Sequence, residues 1–71
     1  MIFCERLKTL RKDRNLTQVA IAETIGVTER GYRKYESGVS EPTMGVLVAL
    51  ADTLGVSIDY LVGRSDDPRR I

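Results

Sequence analysis

Histidine and tryptophan are absent from this 71-residue chain, cysteine occurs once and proline twice. Each shortage removes a class of chemistry. One cysteine cannot close a disulfide within the chain, and without histidine a Cys/His zinc site has no ligand set. There is no nucleophile with a basic partner and no glycine-rich phosphate loop, and a domain this small has little room for a pocket. The chain therefore does not read as an enzyme and calls for no cofactor, no metal and no small-molecule effector. Cys4 is expected half-buried at the start of the first helix, as a small apolar residue rather than a reactive thiol.

Long apolar runs are missing as well. The longest, "MGVLVALA" at 44–51, is far below the roughly 20 residues that a membrane span needs. The opening "MIFCERLKTLRKDR" reaches charge by its fifth residue and lacks the apolar segment of a secretory leader. A cytoplasmic setting is expected, with no membrane partner.

What is present is the balance of a globular domain, 42% hydrophobic and 30% charged. The length allows one core and not two. Net charge is only +1, but residues 1–36 hold eight Lys/Arg against five Asp/Glu, and residues 37–71 hold three against five. The basic half is where a polyanion would dock.

The spacing of apolar residues predicts five short helices and no strand. Phe3, Leu7 and Leu10 mark one face of a helix over about 3–14, with Asn15 as a left-handed cap after it. Thr17 caps a second helix, about 18–25, that turns Ile21, Ala22 and Ile25 inward. Gly26 stops it, and a single residue, Val27, separates that glycine from the next N-cap, Thr28. Two helices joined so tightly have no room to run antiparallel, which is the helix-turn-helix arrangement. The third helix, about 28–36, ends at Gly38. Thr43 caps a fourth, about 43–54, with Met44, Leu47, Leu50, Ala51 and Leu54 on its buried face. A last short helix, about 57–62, follows Gly55 and Ser57 and buries Ile58 and Leu61. Residues 1–63 form the domain in this reading, and 64–71, without periodicity, are expected to be a flexible tail.

The order of motifs resembles the Cro/lambda-repressor-like (XRE-type) helix-turn-helix family. "LTQ" at 16–18, "IAETIGV" at 21–27, "YESG" at 35–38, "EPT" at 41–43 and "LADTLGVSIDYLVG" at 50–63 carry the likeness. It implies an all-α, compact five-helix DNA-binding domain of a transcriptional regulator, here expected to be a repressor acting as a homodimer on an inverted repeat of double-stranded DNA. The dimer contact is then expected near Val56, Ser57 and the end of the last helix.

A helix that enters the major groove must keep one stripe for the core and offer another of donors and acceptors. In the third helix Val27, Tyr32 and Tyr35 make the first stripe. Thr28, Glu29, Arg30 and Lys34 are the candidates for base reading. Arg30 suits both acceptors of a guanine edge, and Glu29 suits the amino group of cytosine. Gln18 opens the second helix, whose terminus favours a phosphate. Arg33 lies toward the edge of the reading stripe and is assigned to the backbone. The resemblance implies a backbone clamp at Gln18 and phosphate contacts at Thr17 and Ser37. It also implies that Arg11 and Glu36 pair as scaffold between the first and third helices.

The sequence departs from its relatives in places. "SGVSEPT" at 37–43 lacks the Lys or Arg common there, which predicts few backbone contacts on that side and a modest salt dependence. Val19, Ala20, Val46 and Ala49 are apolar where polar residues are usual, and are either ordinary exposed apolar residues or a protein-contact patch. Gly31 costs about 1 kcal/mol of helix propensity against alanine. It either makes room for the Tyr32 ring or for the second helix, or it is tolerated drift. A protein-interaction module, such as an antitoxin or anti-repressor partner, is the alternative function.

Overall fold

A computed structural model describes residues 2–69 of the chain. Among them are five helices: α1 (Ile2–Asp13), α2 (Gln18–Ile25), α3 (Glu29–Ser37), α4 (Met44–Leu54) and α5 (Ile58–Leu61), with no strand. The boundaries follow the caps. Thr17, Thr28, Thr43 and Ser57 each accept the backbone N–H three residues on, from Ala20, Gly31, Val46 and Tyr60. Each such cap stabilises its helix by about 1 kcal/mol, which matters for elements of one to three turns.

The turn between α2 and α3 is set by Gly26, whose φ of 80° lies in the left-handed region that side chains avoid. Its N–H and that of Val27 close back on the carbonyls of Glu23 and Ala22. The chain is thereby redirected within two residues into the Thr28 cap. Asn15, also left-handed at φ 56°, ends α1 in the same manner.

The core lies among all five helices. Phe3, Leu7 and Leu10 of α1 meet Ile21 and Ala22 of α2, Tyr32 of α3, Leu50, Ala51 and Leu54 of α4, Val56, and Leu61 of α5. Full burial of an aliphatic side chain of this size is worth about 1.5–3 kcal/mol. α3 packs on α2 and α1, α4 on α2 and α5, and α5 also on α1, so one face of α3 is held while the opposite face is open.

Several expectations need correction. Met44 does not belong to the buried face of α4; it is 81% exposed. Spacing identifies the face of a helix but not where along its length the core ends, and α4 begins beyond that edge. Ile58 is also outside the core, at 39% exposure, and Val56 takes the buried place beside it at 2%. Val56 nevertheless lines, with Ser57 and Ile58, one open depression at this end of the molecule. Cys4 is buried rather than half-buried. Val46 leans on the core, whereas Val19 is exposed.

Beyond α5 the chain folds back. The Arg6 guanidinium lies 4.1 Å from the centroid of the Tyr60 ring and donates to the carbonyls of Tyr60 (2.5 Å) and Ser65 (2.6 Å) and to the Asp66 carboxylate (2.8 Å). The Ser57 N–H donates to the Pro68 carbonyl at 3.1 Å. Of the stretch 64–71, expected to be a flexible tail, residues 70 and 71 lie outside the described residues.

Candidate nucleic-acid interface

α3 is amphipathic in an uneven way. Tyr32 and Glu36 are its buried residues, Tyr35 is half-buried, and Arg30, Arg33, Lys34 and Ser37 are exposed. Tyr32, read from sequence as part of an apolar stripe, is completely enclosed and meets Tyr35 edge-to-face, with ring centroids 6.3 Å apart. Its hydroxyl needs a partner inside the protein and donates to the Glu36 carboxylate one turn later. The signal for this bond in the sequence is the i, i+4 spacing of Tyr32 and Glu36, which an apolar-stripe pattern does not register.

Glu36 is the hub beneath the surface. Arg11 reaches it from α1, with Nε donating to Oε2 at 2.6 Å and Nη2 to Oε1 at 3.2 Å. Arg11 Nη1 also donates to the Leu16 carbonyl at 2.8 Å. The expected scaffold pair between Arg11 and Glu36 is thus formed, with side chains only 11% and 3% exposed. Burial alone would raise the Glu36 carboxyl. Hydrogen bonds from Arg11 and Tyr32, the Arg11 charge and the Gln18 amide outweigh burial and hold it below the usual carboxylate range. The Tyr32 hydroxyl is pushed far up, first by burial and then by the adjoining carboxylate. Among the described residues no buried side-chain polar atom lacks a partner.

The candidate phosphate and base readers sit above this hub. Gln18, the first residue of α2, gives one hydrogen of Nε2 to Glu36 Oε1 at 3.3 Å, and its Oε1 accepts from Arg33 Nε at 3.2 Å. Arg33 also donates through Nη2 to Glu29, one turn before it on α3. Thr17 and Thr28 use their hydroxyls as helix caps, at 3.0 Å in both cases. The Ser37 hydroxyl turns back to the Lys34 carbonyl at 3.2 Å. The Arg30 and Lys34 side chains are exposed and make no hydrogen bond or ion pair with the described residues. Glu29, Arg30, Arg33, Lys34 and Ser37 together line one open depression on the outer side of α3.

Gly31 belongs to this surface through Thr28. A Cβ placed on Gly31 would come within 3.2 Å of the Thr28 cap oxygen, and no atom of α2 lies within 4 Å of it. Close approach of the second helix is therefore not the reason for this glycine. The other three caps accept from Ala20, Val46 and Tyr60, which carry side chains at the same position, so the crowding is a tight contact and not a requirement for glycine. No helix among the described residues is long and apolar enough to cross a membrane.

Comparison with known proteins agrees with this geometry. A helix-turn-helix family model matches residues 7–61. The cryptic phage CTXphi transcriptional repressor RstR of Vibrio cholerae is 52% identical over 60 residues, which is 84% of this chain and 54% of that protein. The HTH-type transcriptional regulator YobD of Bacillus subtilis is 42% identical over 67 residues, 94% of this chain and 60% of YobD. The chain thus spans little more than half the length of these relatives. Among solved structures, the P22 c2 repressor in complex with a synthetic operator superposes with a TM-score of 0.82 at 31% identity, covering 86% of this chain and 92% of that one. The capped turn at Gly26, the buried Arg11–Glu36 pair and the match over most of its length agree: the chain belongs to the Cro/lambda-repressor-like (XRE-type) helix-turn-helix family of DNA-binding transcriptional regulators, which are not enzymes.

Proposed function

We propose that the chain is a sequence-specific transcriptional repressor that binds an inverted-repeat operator as a homodimer, with α3 in the major groove. The observation that carries the reading is the uncommitted pair Arg30 and Lys34 on the open face of α3, beside an α2 N-terminus whose Gln18 amide is already oriented. Arg30 is placed to read a guanine edge, and Glu29 to accept from a cytosine amino group. Lys34 and Thr28 extend the same stripe. Gln18 keeps its second Nε2 hydrogen for a phosphate at the positive end of α2, and Thr17 and Ser37 lie at the margins of that contact. The relatives support this reading by name: one is a transcriptional repressor, and one solved neighbour holds an operator. Such a regulator works in the cytoplasm, at the nucleoid when bound.

One recognition helix reads few base pairs, and two-fold symmetry doubles the site. Half-sites about 34 Å apart, one turn of DNA, match that arrangement. For the self-contact, Val48 and Ile58 are exposed apolar residues lining one depression with Asp52, Ser57 and Asp59. The acid-containing loop at Glu41 faces the same consequence drawn from sequence: few phosphate contacts there and a shallow salt dependence.

Selection of bound duplexes from a random pool tests the reading. A palindrome is expected, and Arg30→Ala should relax preference at one guanine by about 1–3 kcal/mol. Binding of all sequences alike at low salt and of none at physiological salt would favour a protein-interaction module, such as an antitoxin or anti-repressor partner.

A further inference from the structure

Arg33 sits where a phosphate-gripping arginine would be expected, yet two of its nitrogens are engaged by the protein. Nη2 donates to Glu29 Oε2 and Nε donates to Gln18 Oε1 at 3.2 Å. Gln18 in turn donates to Glu36, which Arg11 and Tyr32 hold from below. A continuous chain of hydrogen bonds thus runs from the buried pair between α1 and α3 to the first residue of the reading helix. We infer that Arg33 is a positioning residue that sets the base preference of Glu29 and joins it to the Gln18 clamp, rather than a phosphate contact in its own right. The inference rests on the DNA-reading function proposed above.

Two physical consequences follow from the geometry. Glu29 stands at the start of α3, where an unaccompanied carboxylate approaching DNA would be repelled by the phosphates. The adjoining guanidinium offsets that charge and engages Oε2, leaving Oε1 to accept from a cytosine amino group. Gln18 is fixed in one amide orientation, because a carboxylate on one side requires its nitrogen and a guanidinium on the other requires its oxygen. The second Nε2 hydrogen is thereby directed without a rotamer search on binding. The Arg33 and Glu29 side chains are 61% and 38% exposed, so their pairing adds little to folding and its effect lies in geometry.

Anisotropy titrations test this with the selected duplex and every single-base substitution in one half-site, at several salt concentrations. The proteins are the wild type, Glu29→Gln, Arg33→Ala, Arg33→Lys and the Glu29→Gln/Arg33→Ala double variant. Arg33→Ala is expected to lose about tenfold of discrimination, the value of one directed contact, at the base pair that Glu29→Gln relaxes. Preferences elsewhere, the salt slope and the melting temperature should be unchanged, and the double variant should lose nothing further. Arg33→Lys should behave like Arg33→Ala, because an ammonium keeps the charge but loses the planar fork that serves two acceptors. The inference is overturned if Arg33→Ala weakens every duplex alike and lowers the salt slope by about one unit, the signature of a phosphate contact. Unchanged preference at the Glu29 base pair overturns it equally. A wild type with no site preference brings down the DNA-reading function itself, and that outcome is visible before any residue is changed.

Discussion

Arg11 on α1 donates to both carboxylate oxygens of Glu36 on α3, Nε to Oε2 at 2.6 Å and Nη2 to Oε1 at 3.2 Å. With both side chains nearly enclosed, the pair differs from a surface salt bridge in what its loss costs. Removing one partner strands a buried charge, at about 3–5 kcal/mol, whereas replacing both with apolar residues of similar volume removes the need for pairing. Arg11→Met and Glu36→Leu should each destabilise strongly. The double variant should be more stable than either single by at least about 1 kcal/mol in urea unfolding.

The same carboxylate sets the response to acid. The folded Glu36 carboxyl is held below its ordinary range, so the unfolded chain takes up that proton first as pH falls through about 4. The stability that Glu36 provides is complete above that range and is lost as pH drops toward the folded value. Urea midpoints measured from neutral to about pH 3 should fall more steeply for the wild type than for Glu36→Gln.

At the alkaline end Tyr32 has the opposite sign. Its folded hydroxyl is raised well above the ordinary tyrosine value, so the unfolded chain releases that proton first. The contribution is complete below about pH 10 and declines as pH rises beyond it. Tyr32→Phe should cost about 2 kcal/mol at neutral pH, through the lost bond to a charged acceptor. It should also blunt the alkaline loss of stability, as read by thermal melts between pH 8 and about 11.

Gly31 and Thr28 are coupled by space. Alanine at 31 gains about 1 kcal/mol of helix propensity, but its Cβ crowds the cap oxygen at 3.2 Å. Gly31→Ala should therefore stabilise less in the wild type than in a Thr28→Ala background, where the hydroxyl is gone. A chemical-denaturation cycle of the four proteins measures the difference.

The proposed self-contact makes a separate prediction. A charge on the exposed apolar pair, in Val48→Glu or Ile58→Glu, should leave the melting temperature close to that of the wild type, because neither side chain belongs to the core. Sedimentation should show the dimer population lost, and binding to a palindrome should fall toward that of a single half-site.

Much of the fold was legible in the sequence because caps and stops are local. Thr17, Thr28, Thr43 and Ser57 need only the next three residues to act, and all four cap the helices they were expected to cap. The inward faces of α1 and α2 were readable for a similar reason: 3.6-residue spacing is a property of a single helix. The family motifs added the Arg11–Glu36 pair, 25 residues apart in sequence, which no local rule supplies.

Tertiary packing decided what local spacing cannot express. Met44 and Ile58 keep helical register with buried residues, yet the core ends before it reaches them. The Tyr32 hydroxyl joined the buried network because Glu36, one turn later, was already turned inward to meet Arg11. Spacing puts Arg33 at the edge of the reading stripe, and only the approach of α2 brings Gln18 to its Nε. Only the structure shows that a Cβ at Gly31 would meet the Thr28 oxygen and no atom of α2. The sequence by itself determined where helices start, stop and turn their apolar sides, since those choices are made within one or two turns of chain. Which polar groups meet, and which apolar ones stay in water, depended on how the helices were brought together.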